Sequence, residues 1–271
     1  LDMKFIDIPA DKVRQYPSHD SRSIGPNKEC ICAIIKHVDD TKVAGKPVFN
    51  KELIQVLEEM FGKLTITRGN FENTGIMHEF RSNGDVVLHQ SHYIKDLIPI
   101  SHPDLYDVSE ELVTLFWSLL GALAYALLTQ AQMMVYVVAL QRVTHKPKAI
   151  HIRKLNTLVR NLKHHPKEVI FQPMKDTSHL LIYSDSAFNK EEDKGYGLRG
   201  ALYLRVGKRR TIGKPIVHLL HSESKSHKLV LRSTFGCELL AACESTDLGF
   251  QLAVTLHEFV HGCCTPMQVR T

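Results

Sequence analysis

Charge is missing from one long stretch of this chain: from Leu112 to Gln141, none of 30 residues carries one. Such a run raises the question of a membrane span, which needs only about 20 apolar residues. Thr114, Ser118, Thr129, Gln130 and Gln132 interrupt it, and Thr129-Gln130 reads as a break between two buried helices. No membrane partner is expected. The six cysteines (Cys30, Cys32, Cys237, Cys243, Cys263 and Cys264) follow no CxxC spacing and outline no secretory framework, so reduced intracellular thiols are expected. No charged-then-apolar leader follows Leu1, so no signal peptide is expected and the chain reads as an internal segment. Internal repeats and low-complexity tracts are absent as well.

With 271 residues the chain is long enough for one large or two modest domains. Apolar residues at 44% and charged residues at 23% are ordinary globular composition and exclude disorder of the whole chain. A net charge of +5 suits a nucleic-acid binder without singling one out. The 16 histidines are scattered and suggest no mechanism by their number.

Residues 1–28 are polar and irregular, with Pro9, Pro17, Gly25 and Pro26 as breakers. Cys30 to Ile35 is a β-like apolar run, and Thr41 to Gly45 a second, so a hairpin is expected with Asp39 and Asp40 at its tip. Leu53, Ile54, Leu57, Met60 and Phe61 fall at helical spacing, which predicts a helix over 50–62 with those residues on its apolar face. Residues 63–89 return to strand-type alternation, with turns at Gly69-Asn70 and Asn83-Gly84. Three helices follow, near 109–129, 131–144 and 148–164. A new pattern opens at about 178: strands at 179–183, 199–206 and 215–221, with Lys208-Arg209-Arg210 as a basic turn, then a helix from Thr234 to Val260.

Adjacent carboxylates on a tight turn suit Mg²⁺, which prefers hard oxygen ligands and keeps several waters. Two such ions can clamp the attacking and leaving oxygens of a phosphoryl transfer. The plainer account of Asp39-Asp40 is a solvated acidic turn. Asp185 after Leu181-Ile182-Tyr183-Ser184, and Glu238 near the start of the last helix, form a second candidate pair. The plainer account of Asp185 is a polar turn at a strand end. A capping box does not account for Glu238, because Thr234 as N-cap would place Cys237 at the third position.

These segments resemble the polyprotein of copia-type retrotransposons. Ile34-Ile35-Lys36-His37-Val38-Asp39-Asp40-Thr41-Lys42-Val43 is similar to the YVDD-centred motif of its reverse transcriptase. Asn70-Phe71-Glu72-Asn73-Thr74-Gly75-Ile76 lies where that family has its primer-gripping hairpin. Gln90-Ser91-His92-Tyr93-Ile94-Lys95-Asp96-Leu97 resembles its Q-x-x-Y-I-x-x-L segment, and Phe116 to Tyr125 its Y-R-x-x-V-G-x-L-x-Y helix. Tyr183-Ser184-Asp185-Ser186-Ala187 and Ser233-Thr234-Phe235-Gly236-Cys237-Glu238 resemble the first strand and the S-T-x-A-E helix start of its ribonuclease H.

The resemblance implies an α/β or α+β chain in three parts: a partial palm over 1–98, a helical thumb and connection over 99–175, and a ribonuclease H-like mixed sheet over 176–271. It implies Mg²⁺ at two-metal sites, held by Asp39 and Asp40 in one lobe and by Asp185 and Glu238 in the other. Expected partners are an RNA template, a DNA primer, an RNA–DNA hybrid and the remaining polyprotein segments, inside the cell in a cytoplasmic particle or the nucleus. Phe71, Gly75, Arg142, Lys148, Arg153 and Lys154 are the expected nucleic-acid contacts. The last four belong to a basic cluster from Arg142 to Lys163, for which a solvated helix surface is the plainer account.

Three departures matter. His37 stands where the family motif has tyrosine. No segment in 1–29 resembles the palm strand that carries the polymerase's other aspartate. The nuclease's third carboxylate falls near Thr271, and Asp247, nine residues after Glu238, is turned to the opposite helix face at ~100° per residue. Both sites are therefore expected to be incomplete and the segment inactive by itself, or a decayed copy. A competing motif is His257-Glu258-Phe259-Val260-His261, which fits the H-E-x-x-H helix of zinc hydrolases. Cys263 and Cys264 are the nearby residues left for a third ligand, and neither fits the usual downstream histidine or glutamate.

Overall fold

The computed structural model describes residues 2–7, 32–37, 40–101, 108–174, 178–188, 197–207 and 214–261; at 2–7, 36–37, 40 and 259–261 only the backbone is described. These residues form a mixed α+β chain that divides into two compact units, 1–73 with 78–80 and 247–271, and 74–77 with 81–246. The units follow compactness, whereas the three-part division at 98 and 175 follows motif order.

In the first unit, β2 (Cys32–His37) and β3 (Asp40–Gly45) form the expected antiparallel hairpin. The irregular reading of residues 1–28 is corrected at its start: β1 (Asp2–Asp7) runs parallel to β3 and to β4 (Thr65–Arg68), completing a sheet in the order β2-β3-β1-β4. An isolated six-residue strand carries no periodic signal, so only its sheet partners reveal it. Helix α1 (Pro47–Phe61) begins on a proline, whose fixed φ suits a first turn and whose missing N–H is not needed there. Leu53, Ile54 and Leu57 pack on Cys32, Val43 and Leu64. Met60 and Phe61, expected on that face, are 68% and 60% exposed. The apolar face is used over its first turns and left bare at its end.

Short strands follow: β5 (Phe71–Asn73), β6 (Ile76–Phe80) and, in the second unit, β7 (Val86–His89), which pairs antiparallel with β8 (Val169–Phe171). Thr74 and Gly75 join β5 to β6 with φ of 49° and 68°, the left-handed backbone of a two-residue hairpin turn. Gly84 closes the next turn at φ 87°, with the Asn83 side chain accepting from the Asp85 N–H.

The second unit is centred on helices. After α2 (Ser91–Asp96) come α3 (Glu110–Ala126), a 3-10 turn (Ala131–Met133), α4 (Met134–Gln141) and α5 (Ala149–His164), close to the predicted spans. Ser109 caps α3 by accepting from the Leu112 N–H, with Glu110 and Glu111 in its positive first turn. Ile152, Leu155, Val159 and Leu162 line one stripe of α5 and pack with Phe116, Leu119 and Leu123 of α3 and Val137 and Leu140 of α4. Burying each of these side chains contributes about 1.5–3 kcal/mol. The break at Thr129-Gln130 is where it was expected. Gln130, fully buried, donates to the Lys167 carbonyl at 2.7 Å and accepts from the Lys167 N–H at 2.9 Å. No helix among the described residues is long and apolar enough to cross a membrane.

The same unit ends in an antiparallel sheet in the order β11-β10-β9, formed by β9 (Ser178–Ala187), β10 (Leu198–Gly207) and β11 (Val217–Ser226). Helix α6 (Thr234–His261) follows. Its cap is Ser233, whose hydroxyl accepts from the Gly236 N–H at 3.0 Å. Glu238 therefore lies past the first turn, which contains no acidic residue. Strand β9 also continues beyond Ser184, so Asp185 belongs to the sheet and not to a terminal turn.

Candidate functional site

Asp185 and Glu238 are positioned by the sheet of β9–β11 and the helix that follows it. Side chains along a strand alternate between faces, and the register places Ser184, Ala201 and Glu223 in one row and Asp185, Gly200 and Ser224 in the next. The first face is covered by α6. There Arg199 donates to Glu223 at 2.9 Å and pairs with Glu244 of α6 at 2.6 Å, while Lys225 holds the other oxygen of Glu223 at 2.6 Å. Glu223 is 7% exposed, and these two cations compensate the carboxylate where water cannot reach it.

At the end of the same face, Ser186 and His227 are buried and joined at 2.8 Å, and the His227 N–H donates to the Gly197 carbonyl. Gly197 is required there: a Cβ would stand 2.5 Å from the Ala187 carbonyl. Burial pushes the His227 pKa below its ordinary 6.5; Arg199 works the same way, while Glu244 and Glu238 oppose it. Glu238 is thus the half-buried neighbour of His227 on the covered face.

Asp185 points the other way. It is exposed and lines an open groove of about 470 Å³ between the uncovered face of the sheet and the segment Ala131–Val135. The two carboxylates sit at one end of one sheet but on opposite faces, so the structure does not bring them to a shared cation. Among the described residues no group of three histidine, cysteine, aspartate or glutamate side chains stands together as a metal site. The Mg²⁺ site expected of Asp185 and Glu238 is not fitted by this arrangement.

In the first unit Asp40 opens β3, opposite His37 of β2 and in register with Asp2 of β1. Asp39 lies outside the described residues. Phe71 is 4% exposed and stacks on His78 with ring centroids 4.8 Å apart, so it offers no surface to a nucleic acid. Gly75, in the second unit, is held against α3: a Cβ would come within 2.7 Å of the Tyr125 hydroxyl, which itself donates to the Thr74 carbonyl. The role of Gly75 is the turn and the close approach. Both residues have packing roles: Phe71 against His78 and Gly75 against Tyr125.

The basic cluster divides. Lys163 is spent on the carbonyls of Lys95 and Leu97, at 2.6 and 2.9 Å. His151 accepts from the Lys148 N–H at the start of α5. Arg153, Lys154 and Arg160 lie on the exposed face of a helix that contains no carboxylate, with Lys148 exposed at its N-cap and Arg142 half-buried. The zinc motif lies within α6, with His257 and Glu258 exposed; the His261 side chain, Cys263 and Cys264 lie outside the description. Lys208-Arg209-Arg210 lies outside it as well.

Arg199, Glu223, Glu244 and His227 were not singled out from sequence. Their signal is weak but present: Arg199 and Glu223 occupy inward positions of strands whose neighbours Ala201 and Tyr203 are buried. No protein-family model, curated protein or solved structure matches the chain.

Proposed function

We propose that this chain is a segment of a copia-type retrotransposon polyprotein, of reverse transcriptase and ribonuclease H descent, that binds nucleic acid without cleaving it. The observation that carries the reading is an order of elements. A three-strand antiparallel meander whose first strand ends near Asp185 is followed by a long helix bearing Glu238. Upstream, a hairpin opens β3 at Asp40, in register with Asp2 on the neighbouring strand. The exposed, carboxylate-free face of α5 supplies the contact surface, since phosphate backbones are bound through Lys and Arg with release of counterions. The partners in this reading are RNA template, DNA primer and their hybrid, inside the cell, with the rest of the polyprotein.

A second reading, the decayed copy, is favoured by one observation: Asp185 and Glu238 occupy opposite faces of their sheet. Two-metal hydrolysis needs them on one cation.

The test is fluorescence anisotropy with a labelled RNA–DNA hybrid across a salt series, beside a Mg²⁺-dependent cleavage assay. Hybrid binding without cleavage is expected. Replacing Lys148, Lys154 and Arg160 by alanine should reduce the slope of log K against log salt by roughly 2–3. Absence of binding at low salt would overturn the nucleic-acid reading, and cleavage would overturn the non-catalytic one. Stoichiometric, tightly held zinc would instead support the His257–His261 hydrolase.

A further inference from the structure

The groove over the uncovered face of β9–β11 has a chemistry of its own. Its floor is two rows of side chains set by the register: Asp185, Gly200 and Ser224, then Tyr183, Leu202 and Ser222. Adjacent strands lie about 4.8 Å apart, so Asp185 and Ser224 face each other across roughly 10 Å with only a glycine between them. Gly200 leaves that space open, since a Cβ there would meet nothing nearer than the Glu223 carbonyl at 3.7 Å. The second row is apolar at its centre, with Tyr183 56% and Leu202 43% exposed. Met134 and Val135 form the opposite wall.

Charge decides what such a groove accepts. Asp185 is the carboxylate on this face, and among the described residues it has no hydrogen-bond or ion-pair partner. Arg199, whose backbone borders the groove, turns its guanidinium to the covered face and commits it to Glu223 and Glu244. A carboxylate beside apolar walls, with a hydroxyl across a gap, disfavours anions. It also provides too few oxygens for Mg²⁺, which takes octahedral coordination.

We propose that this groove binds a small alkylguanidine, with Asp185 as its counter-ion. One edge of the planar cation takes the carboxylate in a two-pronged hydrogen bond. The far edge reaches the Ser224 hydroxyl over Gly200. The alkyl stem lies on Leu202 beside the Tyr183 ring, where cation and aromatic face also attract. A groove of about 470 Å³ falls within the size of small-molecule sites.

This assignment does not rest on the polyprotein reading, and hybrid binding through α5 can fail or succeed without it. The test is calorimetric titration of the full chain with n-butylguanidinium and with n-butylurea, a neutral molecule of nearly the same shape. Butylguanidinium should bind, and butylurea should bind about ten-fold more weakly or worse, the usual weight of a charge-assisted pair. Asp185→Asn should weaken butylguanidinium by a similar factor. Gly200→Val should abolish binding by filling the floor, and its strand backbone accepts a β-branched residue. Far-UV dichroism of both variants should match the parent chain. Equal affinity for the urea, no binding of the cation, or full affinity in the folded Gly200→Val variant would each overturn the proposal.

Discussion

Two regions of the second unit treat polar side chains in opposite ways. Around α2 and α3, the polar residues of the recognisable motifs are turned on one another. The Tyr93 hydroxyl donates to the Ala122 carbonyl at 3.0 Å, Thr129 donates to Gln90 at 2.9 Å, and Tyr93 and Tyr125 meet edge to face. In the β9–β11 sheet, polarity is segregated by face: Arg199 and Glu223 are locked under α6, while Asp185 stands in an open groove. A motif can thus be recognisable because its residues hold each other. A residue left without a partner is the better indicator of a ligand.

The difference makes graded predictions. The largest effect is expected where a charge is stranded. Arg199→Ala leaves half-buried Glu244 without its cation and buried Glu223 with Lys225 alone, and should cost about 3–5 kcal/mol in urea unfolding. Next is Asn156, which clamps Ile100 by accepting from its N–H and donating to its carbonyl, both at 2.8 Å. Asn156→Ala orphans two buried backbone groups and should cost about 3 kcal/mol by the same measurement.

A smaller effect concerns pH. Burial lowers the pKa of His151, His218 and His227 below 6.5. A histidine whose folded pKa is lowered stabilises the fold above its unfolded value, and that contribution is lost as pH falls through the folded value. Melting temperature should therefore drop as pH is lowered from 6.5, and His227→Gln should flatten part of that slope. If the slope is unchanged in the variant, His227 is not buried as described. The smallest effect is expected at Asp185: Asp185→Asn should change stability by no more than about 0.5 kcal/mol, as at other exposed sites. A loss comparable to that of Arg199→Ala would show that Asp185 is structural and would remove the contrast between the two faces.

Much of the architecture was legible because it rests on local periodicity. The three helices of the middle region, the break at Thr129-Gln130 and the hairpin of β2 and β3 follow from spacing alone. Two short elements were not legible: α2 and β8 have too little sequence for a period. Met60 and Phe61 fit a helical stripe, yet nothing packs on that end of α1. Phe71 and Gly75 resemble contact residues by position, but stacking on His78 and the approach of Tyr125 assign them to packing.

By itself the sequence determined which segments are helical, which alternate, and where two pairs of acidic residues lie along the chain. Tertiary structure alone decided that Asp185 and Glu238 face apart, because the direction of a strand residue depends on where the strand begins and which face a distant helix covers. A one-residue difference in that phase reverses every side chain. Periodicity specifies an element, but only the element packed against it specifies the face.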